Sequence, residues 1–221
     1  MNPPVFVFDA YGTLLDVHAA IERHREAAGP NARALSQLWR TKQLEYTWTL
    51  TLAGRYADFW TVTQHALDYA LAQFPDVDMS LKPRLLDAYM ELTAFPDARA
   101  TLRSLKQADR RTAILSNGTL PMLAAATDAA ELRNDLDALL SVDTIQLYKP
   151  HPEVYRLATD AFGVAPSDIV FVSSNRWDVM GAASFGFRTA WINRSNGPDE
   201  YTDAPAQRVL ANLGALASLQ V

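Results

Sequence analysis

The stretch Val5-Phe6-Val7-Phe8-Asp9-Ala10-Tyr11-Gly12-Thr13-Leu14-Leu15 decides the fold of this chain. Its first four residues are apolar without interruption, the pattern of a strand buried on both faces of a parallel sheet. Asp9 stands where the run stops, and Gly12 permits a tight turn just after it. A carboxylate at the end of a buried strand is costly unless it is hydrogen-bonded or paired. In open α/β sheets the carboxyl ends of the strands form the ligand crevice. Taken alone, Asp9 is equally a residue that caps a turn or the next helix. The other strand ends decide between the two.

Beyond Thr13 the pattern turns helical. Asp16 is placed to cap a helix over about 17–28, stopped by Gly29-Pro30. A second helix fits about 31–52, with Leu35, Leu38, Trp39, Tyr46 and Leu50 near helical spacing. A third fits about 58–73, and Ser80 is placed to cap a fourth. Strand–helix alternation then resumes. Strands are expected at 112–115, weakly at 138–142, and at 169–172 and 189–192. Helices are expected over about 98–108, 121–126, 152–162 and 177–185, and the tail from about 205 to 219 reads as helical. The fold class is α/β: a Rossmann-like, doubly wound parallel sheet from residues 1–15 and 94–221. An all-helical, four-helix cap over residues 16–93 is inserted after the first strand.

Composition narrows the class. The 221 residues are 49% hydrophobic and 20% charged, ordinary for a globular protein with a sizeable core. A net charge of -5 argues against a nucleic-acid footprint. With no cysteine, disulfides, thiol nucleophiles and thiolate metal sites are excluded. Met1-Asn2-Pro3-Pro4 lacks the basic and apolar regions of a signal peptide, and no run approaches the ~18 apolar residues of a membrane span. A cytoplasmic location is expected.

Four strand or near-strand ends carry polar residues: Asp9 with Thr13, Ser116-Asn117, Lys149, and Ser173-Ser174-Asn175 with Asp178. In a parallel sheet all of these reach one edge. One polar strand end is a turn; two carboxylates and a lysine on one edge read as a shared site. His18, His24, His65 and His151 are scattered, and none sits with a Ser in a nucleophile pattern. His151, between two prolines, reads as structural.

The strings FDAYGTLLDV (8–17), WRTKQLEYTW (39–48), LSNG (115–118), YKPHPEVY (148–155) and VSSNRWDVMGAASFGF (172–187) resemble the haloacid dehalogenase superfamily, and more narrowly its L-2-haloacid dehalogenases. The resemblance spans essentially the whole chain, helical block included. It implies a metal-free hydrolase acting on carbon–halide bonds, with no cofactor. Asp9 would displace halide from a short L-2-haloalkanoic acid as an ester, giving a D-2-hydroxy acid with inversion. Asp178, oriented by Lys149 and Asn175, would be the base for ester hydrolysis. Thr13 and Ser173 would hydrogen-bond Asp9. Ser116 and the backbone N–H groups of Asn117 and Gly118, at a helix entrance, would take the substrate carboxylate. Arg40 would receive the halide with Asn117 and Trp177, while Tyr11 and Leu44 would line the pocket. Tyr155 matches an active-site tyrosine and is equally placed for helix packing. Arg176 is assigned to the surface.

The runner-up is a Mg²⁺-dependent phosphohydrolase of the same superfamily. Those enzymes carry an acid two residues after the nucleophile, where this chain has Tyr11, and a metal-binding Asp where it has Ser174. A halide leaves without a proton, so the acid is dispensable, and the cation is needed where two anions, carboxylate and phosphate, meet. A dehalogenase acting on fluoroacetate and a non-catalytic binding protein are further alternatives. The partners expected are haloacid substrate and halide product, without nucleic acid or membrane. A homodimer is expected too, with Trp48, Tyr56 and Phe59 either at its interface or in the core.

Overall fold

Val5–Phe8 forms the central strand, β1, and all four residues are buried. The molecule is a computed structural model, and residues 4–218 are described. β1 pairs in parallel with β2 (Thr112–Ser116) on one side and β4 (Ile169–Ser173) on the other. Outside these lie β3 (Ala138–Ser141), β5 (Arg188–Ile192) and β6 (Arg208–Leu210). The order is β3-β2-β1-β4-β5-β6, parallel throughout. Chain order runs outward from β1 in one direction through β2 and β3, and outward from β4 in the other. The switch point therefore falls between β1 and β4, where such sheets bind ligands. Phe8 is in register with Ile114 and Val172, so Asp9 emerges at that crevice.

Helices α6 (Ala98–Gln107), α7 (Leu120–Ala129), α8 (Pro152–Phe162) and α9 (Arg176–Phe185) alternate with the strands. The helical cap enters and leaves through a hydrogen-bonded neck: Asp16 N donates to Thr93 O (2.8 Å), and Phe95 N to Leu14 O (2.9 Å). Two of its helices match expectation, α3 (Ala32–Leu52) and α4 (Phe59–Gln73), the second capped by Asp58. The expected first helix is instead two single turns, α1 (Ala19–Glu22) and α2 (Arg25–Ala28), then a 3₁₀ turn. Glu22 to Glu26 is a polar run with no apolar side chain to anchor a continuous helix there. Ser80 is not the cap of the last helix, α5 (Lys82–Met90). Asp78 takes the Ser80 N–H and starts a 3₁₀ turn first.

The tail also departs from expectation. Residues 208–210 form strand β6, and Leu213–Ser218 is a 3₁₀ helix, with residue 219 outside the described range. A three-residue edge strand arises from pairing with β5, which has no local signature. The aromatic residues considered for a dimer interface join cap to core instead. Phe59 is buried, 5.6 Å from the Tyr11 ring and 6.3 Å from Tyr148. Tyr56 hydrogen-bonds Asp143, and Trp48 packs edge-on against Trp177 at 5.5 Å.

Candidate active site

Three strand ends bring three charges together in the interior. Asp9 follows β1, Lys149 lies in the loop entering α8, and Asp178 sits in the first turn of α9 after β4. Their exposures are 5%, 1% and 0%. Lys149 Nζ donates to Asp9 Oδ1 (3.1 Å) and Asp178 Oδ2 (2.8 Å). The other Asp9 oxygen, Oδ2, accepts from Asn175 Nδ2 (2.7 Å), Thr13 Oγ1 (3.0 Å) and Ser173 Oγ (3.4 Å). Thr13 and Ser173 are oriented as donors because each accepts a backbone N–H, from Ser174 and Asn175 respectively. Asp178 Oδ1 accepts from the Tyr155 hydroxyl at 2.8 Å.

Two carboxylates and one ammonium leave a net negative charge in a buried site, which carries a desolvation cost. Burial pushes Asp178 up to about 6, against the pull of Lys149 and with the help of Asp9. Burial works against the Lys149 ammonium, but Asp178 and Asp9 outweigh it and hold its pKa above the ordinary lysine value. Burial raises the Tyr155 and Tyr11 hydroxyls well above the usual phenol range, so both stay neutral.

The haloacid dehalogenase-like hydrolase family model matches residues 3–186. (S)-2-haloacid dehalogenase 1 of Pseudomonas sp. strain CBS-3 is 54% identical over 214 residues, 96% of this chain and 94% of that protein. The chain belongs to the haloacid dehalogenase-like hydrolases, in the (S)-2-haloacid dehalogenase family. Among solved structures, a dehalogenase superposes with a TM-score of 0.95 at 49% identity, covering 97% of this chain and 96% of its own. The L-2-haloacid dehalogenase of Xanthobacter autotrophicus, with chloropropionic acid covalently bound, gives 0.87 at 38% identity, covering 98% and 97%.

Within this haloacid dehalogenase fold, several sequence-predicted residues stand elsewhere than expected. Asn175 serves Asp9 and the Tyr11 carbonyl (3.1 Å); Asp178 is held by Lys149, as expected, and by Tyr155 in place of Asn175. The Gly118 N–H is spent on Ser116 Oγ (3.1 Å), and α7 begins two residues later with Thr119 as its cap. Asn117 turns Oδ1 to the Lys149 N–H (3.1 Å), which leaves its amide N–H₂ as a donor. Gly118 is required as glycine, since a Cβ there would lie 2.7 Å from Tyr11 Cε2. Arg40, on α3, donates to the Tyr11 carbonyl (3.3 Å) and so reaches the loop after Asp9. Leu44 follows one turn along α3, half-buried. Trp177 lines a cleft of about 420 Å³ with Trp48, Lys149 and Tyr201. His151 caps α8, as its structural reading requires. His18 Nδ1 lies 2.7 Å from Ser36 Oγ, a pair with no sequence pattern. Ser141 ends β3 on the same sheet edge, which is its one signal in the sequence, and its hydroxyl donates to the Gly118 carbonyl (2.7 Å).

Arg176 is the largest correction. It is buried, not on the surface. Nε donates to Asp199 Oδ1 (2.6 Å), and Nη2 to the carbonyls of Tyr201 and Ala204 (2.7 Å each). The guanidinium thus fastens the segment 199–204 to the start of α9, beside Trp177. Its partners lie more than twenty residues away, beyond any local pattern. Arg176→Met leaves Asp199 and two carbonyls without this donor, so Tm is expected to fall by several degrees. Limited proteolysis would then cut within 195–206, and an unchanged cleavage pattern would contradict this role.

Proposed function

We propose that the protein is an (S)-2-haloacid dehalogenase acting on short L-2-haloalkanoic acids. The observation that carries the reading is the Lys149 ammonium held between Asp9 and Asp178, with Tyr11 where a phosphatase has its acid. The cation that draws the two carboxylates together belongs to the chain itself. Among the described residues, Asp9 Oδ2 accepts from three donors and Oδ1 from Lys149 alone, which leaves Oδ1 to attack.

Oδ1 forms a bond to C2 as the carbon–halogen bond breaks, and the halide leaves with the electron pair, inverting C2. Arg40, the Asn117 amide and Trp177 receive the halide; a guanidinium stays charged throughout. Residues 16–93 act as the cap that keeps water from the nucleophile. In the second step a water attacks the Asp9 carbonyl carbon and passes a proton to Asp178. Collapse of the tetrahedral intermediate expels the D-2-hydroxy acid alkoxide, which takes that proton. The remaining hydroxyl proton goes to solvent as Asp9 is restored. Tyr155 and Lys149 hold Asp178 toward the ester.

A cytoplasmic homodimer belongs to the same reading. For the dimer, Leu52 (88% exposed) and Tyr69 (40%) leave apolar surface on α3 and α4.

Halide release from L- and D-2-chloropropionate, with a chelator present, tests the activity. Release from the L enantiomer alone, undiminished by the chelator, is expected. Inactivity toward both enantiomers, with chelator-sensitive hydrolysis of a phosphate ester, would establish the phosphohydrolase reading instead.

A further inference from the structure

The helical cap buries a polar chain directly behind Arg40. Gln43 on α3, Thr63 on α4 and Tyr89 on α5 each have 1% exposure or less. Gln43 Nε2 donates to Thr63 Oγ1 (2.9 Å), and Gln43 Oε1 accepts from the Tyr89 hydroxyl (3.4 Å). Trp39 Nε1 donates to the Thr63 carbonyl (2.9 Å) and its ring packs 5.1 Å from that of Tyr89. Leu35, Val62, Leu67 and Leu85 on the same three helices are buried apolar side chains. Polar side chains inside such a bundle are costly and add nothing that Leu, Val and Phe would not supply.

The chain ends at the site. The Tyr89 ring stacks on Tyr11 at 5.6 Å, and Arg40 donates to the Tyr11 carbonyl. Burial raises the Tyr89 hydroxyl, and the Arg40 guanidinium beside it pulls the other way. With its proton directed to Gln43, that hydroxyl keeps its lone pairs to accept from a cation. Arg40 is thus fastened to a core carbonyl, beside a hydroxyl that three cap helices hold in place.

We propose that Tyr89 and Gln43 are positioning residues, which hold the Arg40 guanidinium where the departing halide arrives and thereby set how the enzyme discriminates among leaving halides. The inference rests on the reading of Arg40 as halide acceptor. Chloride is a poorer leaving group than bromide, so its departure depends more on a well-placed cation. Losing the hydroxyl therefore costs chloride release more than bromide release.

The test compares single-turnover halide release from L-2-chloropropionate and L-2-bromopropionate in wild type, Tyr89→Phe, Gln43→Leu and Arg40→Lys. Tyr89→Phe keeps the ring that stacks on Tyr11, so it decides the matter even if Gln43→Leu folds poorly. Chloride release is expected to fall about tenfold, the worth of one hydrogen bond to a charged group, with a smaller loss for bromide and KM nearly unchanged. In the Arg40→Lys background, Tyr89→Phe should not move the chloride-to-bromide ratio further. Equal losses for both halides, or none, would overturn the inference, and so would a shift that persists undiminished without Arg40. If Arg40→Lys itself leaves the ratio unmoved, the halide-acceptor reading fails and this inference falls with it. Wild-type dehalogenation reports on the enzyme assignment separately.

Discussion

Asp9→Asn is expected to abolish halide release, by at least about 10⁴-fold, because the amide is not a nucleophile toward an alkyl halide. The substitution is nearly isosteric, and its effect on the surroundings can be followed contact by contact. Oδ2 keeps its donors Thr13, Ser173 and Asn175 if the amide oxygen takes that place. The new NH₂ then faces Lys149, where the carboxylate oxygen had accepted at 3.1 Å. Lys149 retains Asp178 at 2.8 Å, so the site loses one half of a shared ion pair and keeps the other. The variant should therefore fold, bind substrate and release nothing. Mass spectrometry separates this from a general-base role for Asp9: no adduct forms in Asp9→Asn, while the wild type, quenched within one turnover, carries the substrate's mass less halide. In water enriched in heavy oxygen, the first turnover's product should draw its new oxygen from Asp9, and solvent label should appear in the enzyme. Label directly in the first product would exclude the ester.

Much of this site was legible because buried parallel strands leave an unambiguous trace. Val5–Phe8 and residues 169–172 are apolar on both faces, so the residues that end them must share an edge, and Asp9, Thr13, Ser173 and Asp178 follow. Lys149 followed from its motif. What could not be read was the direction of side chains and the reach of distant segments. Asn175 follows Ser173 along the chain, yet only the fold shows that its amide points to Asp9 rather than Asp178. Arg176 looks like any solvated helix residue until 199–204 returns to cover it. The Gly118 N–H looks free until Ser116 is seen to accept from it. The polar chain behind Arg40 is three residues on three helices, at spacings with no local pattern. Strand β6 and the break between α1 and α2 belong to the same class, set by tertiary pairing or by the lack of an apolar anchor.

Asp178→Asn should stop the reaction halfway. The displacement step needs no base, so one halide per active site is released and the Asp9 ester accumulates. Steady-state turnover falls by about 10²–10⁴-fold, the usual weight of a general base. The wild type reaches the same state in acid. Asp178 is raised to about 6, so below that pH it carries a proton and cannot take one from water. Ester should therefore build up at pH 5 and vanish at pH 8 in quenched samples. Stability has the opposite dependence. An Asp held near 6 when folded and 3.8 when exposed binds more protons in the folded state across that window. Its contribution is present in full below about 4 and is lost as the pH rises through about 6. The site thus weighs on the fold at neutral pH, where two buried carboxylates share one ammonium. Asp178→Asn removes the surplus charge, leaving the Lys149–Asp9 pair and an amide oxygen to accept from Tyr155. Its Tm at pH 7 should be no lower than that of the wild type, and the pH slope between about 4 and 6 should disappear. A lower Tm at pH 7 with the slope intact would mean that Asp178 stabilises the fold through its charge, and that the raised pKa belongs to another group.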